Sequence, residues 1–214
     1  MDYIQEKMSL INKINNLKKT EVKQIVDNRI KEFESILIKK DQNKIFSELC
    51  FCILTANSTA ELCVKVQKNT EKYFLILKEE ELAEKLKENS CRFHTKRAGY
   101  ICEARKKKEE LLNILITKEQ REIRNWIAEN IKGLGMKESS HFLRNIGFKD
   151  VAIIDFHILD LLEKENLIKK PKKLDKETYL KLEQVLEKLA KKVNLNLSEL
   201  DLYLWYIETG KVLK

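Results

Sequence analysis

The chain is poor in every residue that breaks a helix. It holds 5 glycines and 1 proline, where average usage over this length would bring about 15 and about 11. Strands punctuated by Gly/Pro turns therefore have little support, and the abundance of Leu, Ile, Lys and Glu points to an all-α protein. The 5 cysteines are an odd number without a single CxxC pair, which argues against a disulfide framework or a zinc ribbon. Cys50 and Cys52 lie in the apolar run FSELCFCIL, where a free thiol behaves as a small hydrophobe. The 3 histidines lack ligand spacing, so no metal site is expected. No run approaches the roughly 18 apolar residues of a membrane helix. Met1-Asp2-Tyr3 lacks the basic-then-apolar order of a secretory signal. The expectation is an intracellular protein without a membrane partner.

What the chain has in excess is charge. Charged residues make up 36%, and 42 Lys+Arg against 34 Asp+Glu leave a formal charge of +8. The excess concentrates in residues 91–150, with 14 Lys/Arg against 8 Asp/Glu. A basic surface favours polyanions, nucleic acid first among them. A solvated Lys/Glu-laced helical surface explains the same composition. Hydrophobic residues reach 43% of the 214, enough for one compact unit or two small lobes.

The order of the chain supports a succession of helices. The first 40 residues read as polar helices with apolar stripes, and Phe46 to Leu54 as a central buried helix. Glu79–Lys87, Ala98–Ile116 and about Glu119–Ile131 follow as amphipathic segments. Gly133-Leu134-Gly135 then separates two helices, the second ending at Gly147 in the manner of a C′ glycine. Val151–Ile154 is a short apolar run, Asp155 opens the next helix, and Pro171 marks a sharp boundary. Ser198 with Asp201 resembles a capping box for the last helix.

The segment Ile131–Leu159, IKGLGMKESSHFLRNIGFKDVAIIDFHIL, carries the most information. Two helices joined by G-L-G form a hairpin whose turn needs residues without Cβ. Its backbone N–H groups can approach a phosphate, and the second helix adds its N-terminal dipole. An ordinary helix–turn–helix corner would explain the glycines alone.

The remainder of the pattern resembles the helix-hairpin-helix DNA glycosylases, the superfamily of endonuclease III and 8-oxoguanine DNA glycosylase. Gly133, Gly135 and Lys137 match that family's G-h-G-x-K hairpin, and Ile154-Asp155-Phe156-His157-Ile158 matches its h-D-x-H-h segment 18 residues on. Leu54-Thr55-Ala56-Asn57-Ser58-Thr59 is similar to its L-[ST]-A-[QN]-x-T segment. The chain lacks the proline that often precedes the aspartate, and its last cysteine is Cys102. It thus lacks the four later cysteines of the endonuclease III type, and no iron–sulfur cluster is expected. KESSHFLRNIG and the C-terminal LDLYLWYIETGKVLK look like the archaeal type of 8-oxoguanine DNA glycosylase.

That resemblance implies a two-lobed helical glycosylase fold with a helix-hairpin-helix motif and Gly/Asp loop. Residues 38–148 would form a central barrel, and residues 1–37 with 149–214 the second lobe, with Lys137 and Asp155 in the cleft. It implies a bifunctional glycosylase/AP lyase of base excision repair that flips out 8-oxoguanine, excises it through a Lys Schiff base and nicks the strand by β-elimination. Lys137 is the nucleophile and Asp155 its acidic partner. Lys214, through a C-terminal carboxylate, Trp205 and Phe93 read the base. Asn57 fills the gap left in the duplex, and Lys132, Gly133, Gly135, Arg144 and Lys149 track the DNA backbone. The partner is double-stranded DNA bearing 8-oxoguanine, the protein is expected to be monomeric and to work in the cytoplasm or nucleoid, and no cofactor is required. A monovalent cation at the hairpin carbonyls would leave no mark in the sequence.

The chemistry suits these residues. A neutral amine can attack the sugar's C1′ and form a Schiff base, and a carboxylate can take its proton and stabilise the cationic sugar. 8-Oxoguanine carries N7–H where guanine has a bare acceptor, a reversal that a carboxylate or carbonyl can read. Each residue has a plainer reading as well: Lys137 as a phosphate contact, Asp155 as an N-cap, Trp205 as core. Three rivals follow: a non-catalytic DNA-binding hairpin module, a lyase for oxidised pyrimidines, and a purely structural helical protein, which explains the composition and none of the motifs.

Overall fold

A computed structural model describes residues 9–55 and 58–214. Every regular element among the described residues is helical. In chain order these are α1 Leu10–Leu17, α2 Glu21–Lys39, α3 Gln42–Thr55, α4 Ala60–Thr70, a 3₁₀ turn Glu71–Tyr73, α5 Glu79–Glu88, α6 His94–Lys106, α7 Lys108–Thr117, α8 Gln120–Asn130, α9 Met136–Asn145, α10 Phe156–Lys164, α11 Lys176–Lys192 and α12 Leu197–Thr209. The all-α expectation holds, with two local corrections. The single helix read over Ala98–Ile116 is broken at Lys107 into α6 and α7. The cap of α12 is Asn196 paired reciprocally with Glu199, at 2.9 Å in each direction, while Ser198 is buried. Asn196 sits one residue before the apolar Leu197, where an N-cap belongs.

Contacts divide the chain into two units, residues 1–30 with 154–213, and residues 31–153 with Lys214. The sequence reading puts the boundaries at 37/38 and 148/149. By contacts the first falls at 30/31, nearer the middle of α2, and the second at 153/154, past Val151, which packs with the core of the larger unit.

That larger unit is built around α3. Ile45 to Thr55 is buried without interruption, so the helix is covered on all sides, by α4, α6 and α9 among others. Burying side chains such as Phe46, Leu49, Phe51 and Leu54 stabilises by about 1.5–3 kcal/mol each. In the other unit, α12 packs against α1, α10 and α11. Its core includes Ile14, Leu162, Leu186, Leu200 and Tyr203. No described helix is long and apolar enough to cross a membrane.

Candidate DNA-binding and catalytic site

The hairpin forms because α8 ends where Ile131 and Leu134 are drawn into the core. Between them the chain must reverse in a few residues, and Gly133 does so at φ +87°. A Cβ there would lie 2.5 Å from the Tyr100 ring, so the turn is closed to any other residue on two grounds. Gly135 precedes α9, and its N–H donates to Glu138 Oε2 at 3.2 Å. Lys137 is the second residue of α9. Its side chain is 27% exposed, with Nζ 3.6 Å from Glu138 Oε1. α9 ends in a Schellman arrangement. Gly147 at φ +106° donates to Arg144 O at 3.0 Å, and Phe148 N–H to Leu143 O at 3.0 Å.

The same unit holds Phe93, 54% exposed and in the left-handed region at φ +55°. A bulky aromatic rarely adopts that conformation. The Arg92 and Arg97 guanidiniums lie 5.4 and 5.8 Å from its ring centroid, keeping an aromatic face at the surface within a cationic setting. Lys132 is exposed and ion-paired with Glu103, and Lys149 is half-exposed and paired with Glu34. Arg144 does not fit the role expected of it. It is 4% exposed, with its guanidinium 5.0 Å over the Phe33 ring, and a backbone phosphate cannot be gripped by a side chain packed in the core. Asn57 lies outside the described residues.

Lys214 belongs to this unit too, and its surroundings hold the residues that sequence reasoning missed. Its ammonium meets Glu48 Oε1 and Oε2 at 2.8 and 3.0 Å and Gln67 Oε1 at 2.6 Å. Burial holds the Lys214 pKa below the ordinary lysine range, with Glu48 opposing. His141 is buried nearby, edge-on to Phe51 at 5.7 Å. Burial, then the cations Arg144, Lys137 and Lys214, hold its pKa well below the ordinary histidine value, while the Lys214 main chain pulls the other way. A lone Glu in the apolar run FSELCFCIL was the signal available for Glu48.

In the smaller unit, Asp155 is the N-cap of α10, its Oδ1 accepting from Ile158 N–H at 3.0 Å. The preceding run is pinned where Ile154 N–H donates to the Tyr179 hydroxyl at 3.2 Å. Phe156 is exposed and stacks on His157 with centroids 3.9 Å apart. His157 meets Trp205 edge-on at 5.3 Å. Trp205 is half-buried, and its shielded indole N–H has no hydrogen-bond partner among the described residues. Among the described residues, no three His, Cys, Asp or Glu side chains gather as a metal site needs.

An all-helical chain whose G-L-G hairpin presents an amine at a helix start, together with an aspartate capping a later helix, defines the helix-hairpin-helix class of DNA-repair proteins. The profile of the family described as "8-oxoguanine DNA glycosylase" matches residues 26–195. A protein of Methanocaldococcus jannaschii named 8-oxoguanine DNA glycosylase/AP lyase is 51% identical over 209 residues, covering 97% of this chain and 100% of its own. One of Korarchaeum cryptofilum with the same name is 48% identical, covering 96% and 98%. The crystal structure of the M. jannaschii 8-oxoguanine glycosylase/lyase in complex with a 15mer DNA containing 8-oxoguanine superposes with a TM-score of 0.92, at 50% identity over 96% of this chain and 99% of that one. The chain belongs to the 8-oxoguanine DNA glycosylase family.

Proposed function

We propose that this chain is a bifunctional 8-oxoguanine DNA glycosylase/AP lyase acting in base excision repair on double-stranded DNA. The observation that carries the reading is Lys137, a partly exposed amine on the second residue of α9, in a family whose relatives are named for both activities. The hairpin N–H groups and the start of α9 suit a DNA phosphate, with Lys132 and Lys149 as flexible surface cations beside it.

In the proposed reaction the neutral Lys137 amine donates its lone pair to C1′ of the flipped nucleotide. The C1′–N9 bond breaks, the base leaves with the bonding pair, and Asp155 takes the proton shed by the new C1′–Nζ bond. The C1′–O4′ bond then breaks as the nitrogen lone pair forms the protonated Schiff base, and O4′ takes back the proton held by Asp155. Water takes a C2′ proton, the C2′=C3′ bond forms, and the 3′-phosphate leaves with the C3′–O3′ bonding pair, which nicks the strand. Capping by Ile158 N–H fixes the direction of the Asp155 carboxylate, so the cap serves the chemistry. The steps run on an amine, a carboxylate and water, and no cofactor enters them. Lys214 reads the lesion through a main-chain oxygen that accepts N7–H of 8-oxoguanine and repels the N7 lone pair of guanine. Phe93 and Trp205 supply stacking faces.

The test is the set of single-turnover rates on duplexes carrying 8-oxoguanine, guanine or an abasic site at one position. The reading predicts fast excision of 8-oxoguanine, cleavage at the abasic site and slow attack on guanine. Binding to all three with no strand cleavage would leave only a DNA-binding module.

A further inference from the structure

Glu48 is a carboxylate in the middle of the buried stretch of α3, its side chain 2% exposed. A charge in that position requires partners. Lys214 Nζ supplies two of them, Asn145 Nδ2 donates at 3.2 Å and Gln67 Nε2 at 3.1 Å. Lys44 approaches from the surface at 3.7 Å. Gln67 is itself held, its Nε2 reaching Ser47 O and Oγ at 3.0 and 2.9 Å, so that its Oε1 faces Lys214. The ammonium also stands 4.5 Å over the Phe51 ring. It is therefore enclosed by two carboxylate oxygens, an amide oxygen and an aromatic face, all carried on α3 and α4.

The enclosure explains a peculiarity of the chain's course. Residues 154–213 belong to the smaller unit, and Lys214 alone joins the larger one. A buried ion pair is a poor device for stability, since apolar residues of similar volume often do as well. What it offers is direction, because a satisfied polar network admits one geometry. The Lys214 main chain bears on the buried His141 imidazole, opposing the downward shift that burial imposes.

We infer that Glu48 and Gln67 are an anchor for the Lys214 ammonium, and that this anchor fixes the main-chain end of Lys214 for discrimination of the lesion. Glu48 is thus a positioning residue that never touches the base. The inference rests on the reading that Lys214 contacts 8-oxoguanine. It assigns the two ends of one residue to two tasks, the ammonium to holding and the main chain to reading.

The experiment compares single-turnover rates on 8-oxoguanine and abasic duplexes for wild type, Glu48→Gln, Lys214→Met, the double variant and a deletion of Lys214. An abasic site offers no base to read, so the ratio of the two rates isolates base reading. Glu48→Gln and Lys214→Met are each expected to lower that ratio about tenfold or more, although Lys214→Met retains every main-chain atom. The double variant is expected to do no worse than the stronger single, because the pair acts as a unit. It also buries no uncompensated charge, so it decides the matter should Glu48→Gln fail to fold. Loss of the ratio on deleting Lys214 but not in the Glu48→Gln or double variants would overturn the anchor and leave the base reading intact. Equal loss of both rates in Glu48→Gln would reduce Glu48 to a structural residue and overturn the anchor as well. An unchanged ratio after the deletion would remove Lys214 from base reading, and the anchor's purpose with it.

Discussion

Asp155 Oδ1 accepts the backbone N–H of Ile158 at 3.0 Å, so the carboxylate proposed as the acidic partner of Lys137 is also the N-cap of α10. Asp155→Asn separates these duties, because the amide oxygen can still cap but cannot take a proton. Stability is expected to change by less than about 1 kcal/mol, while single-turnover excision falls about a hundredfold or more. Undiminished excision by this variant would take Asp155 out of the mechanism.

Gly133 and Tyr100 make the hairpin turn intolerant. Gly133→Ala places a Cβ 2.5 Å from the Tyr100 ring at a φ of +87°, so either the turn or the ring must move. We expect duplex affinity, measured by fluorescence anisotropy at fixed salt, to fall about tenfold, since hairpin N–H groups aimed at a phosphate lose their direction. The Gly133→Ala/Tyr100→Ala double variant relieves the clash and should recover part of the loss. Wild-type affinity in Gly133→Ala would mean that the hairpin does not grip the backbone.

The contrast between Lys132 and Arg144 gives a salt test. Lys132 is 65% exposed, whereas Arg144 is packed over Phe33. Lys132→Ala is expected to reduce the slope of log K against log salt by about 0.9, the value of one phosphate contact. Arg144→Ala is expected to leave that slope alone and to lower the urea midpoint instead. A changed slope in Arg144→Ala at unchanged stability would restore the phosphate role.

His141 predicts a pH dependence of stability. Burial and neighbouring cations hold it neutral in the fold, below its unfolded value of 6.5. At pH above 6.5 neither state binds the proton and the histidine is silent. Below 6.5 the unfolded chain binds a proton that the native state refuses, so stability is lost as pH falls. The loss has a limiting slope of about 1.4 kcal/mol per pH unit. The difference between urea-unfolding curves of wild type and His141→Phe should therefore tilt below pH 6.5 and be flat above it. Parallel behaviour down to pH 4.5 would contradict the assignment.

Much of this protein was legible before any coordinates. Scarce Gly and Pro point to helices, and the turn at Gly133 and the cap at Asp155 are local events that sequence records directly, whereas Lys137 and Asp155 stand out as a pair only through the resemblance to the helix-hairpin-helix glycosylases. Arg144 was misread because a basic residue near a DNA-binding turn looks the same whether it faces water or a phenyl ring. The Lys214 anchor was out of reach for a different reason. Glu48 and Gln67 are 19 residues apart on α3 and α4, and Lys214 lies 166 residues beyond Glu48. Only tertiary packing brings the three together. The break at Lys107 and the shift of the α12 cap to Asn196 are one- or two-residue events decided by which neighbour is buried.

The central claim is that Lys137 forms the covalent intermediate, and borohydride reduction tests it most directly. Wild type incubated with an 8-oxoguanine duplex and borohydride is expected to yield a protein–DNA adduct that survives denaturation, because the imine is reduced to a stable amine. Lys137→Gln, which keeps the length and polarity of the side chain but not its amine, is expected to bind the duplex and yield none. An adduct of wild-type yield from Lys137→Gln would contradict the account.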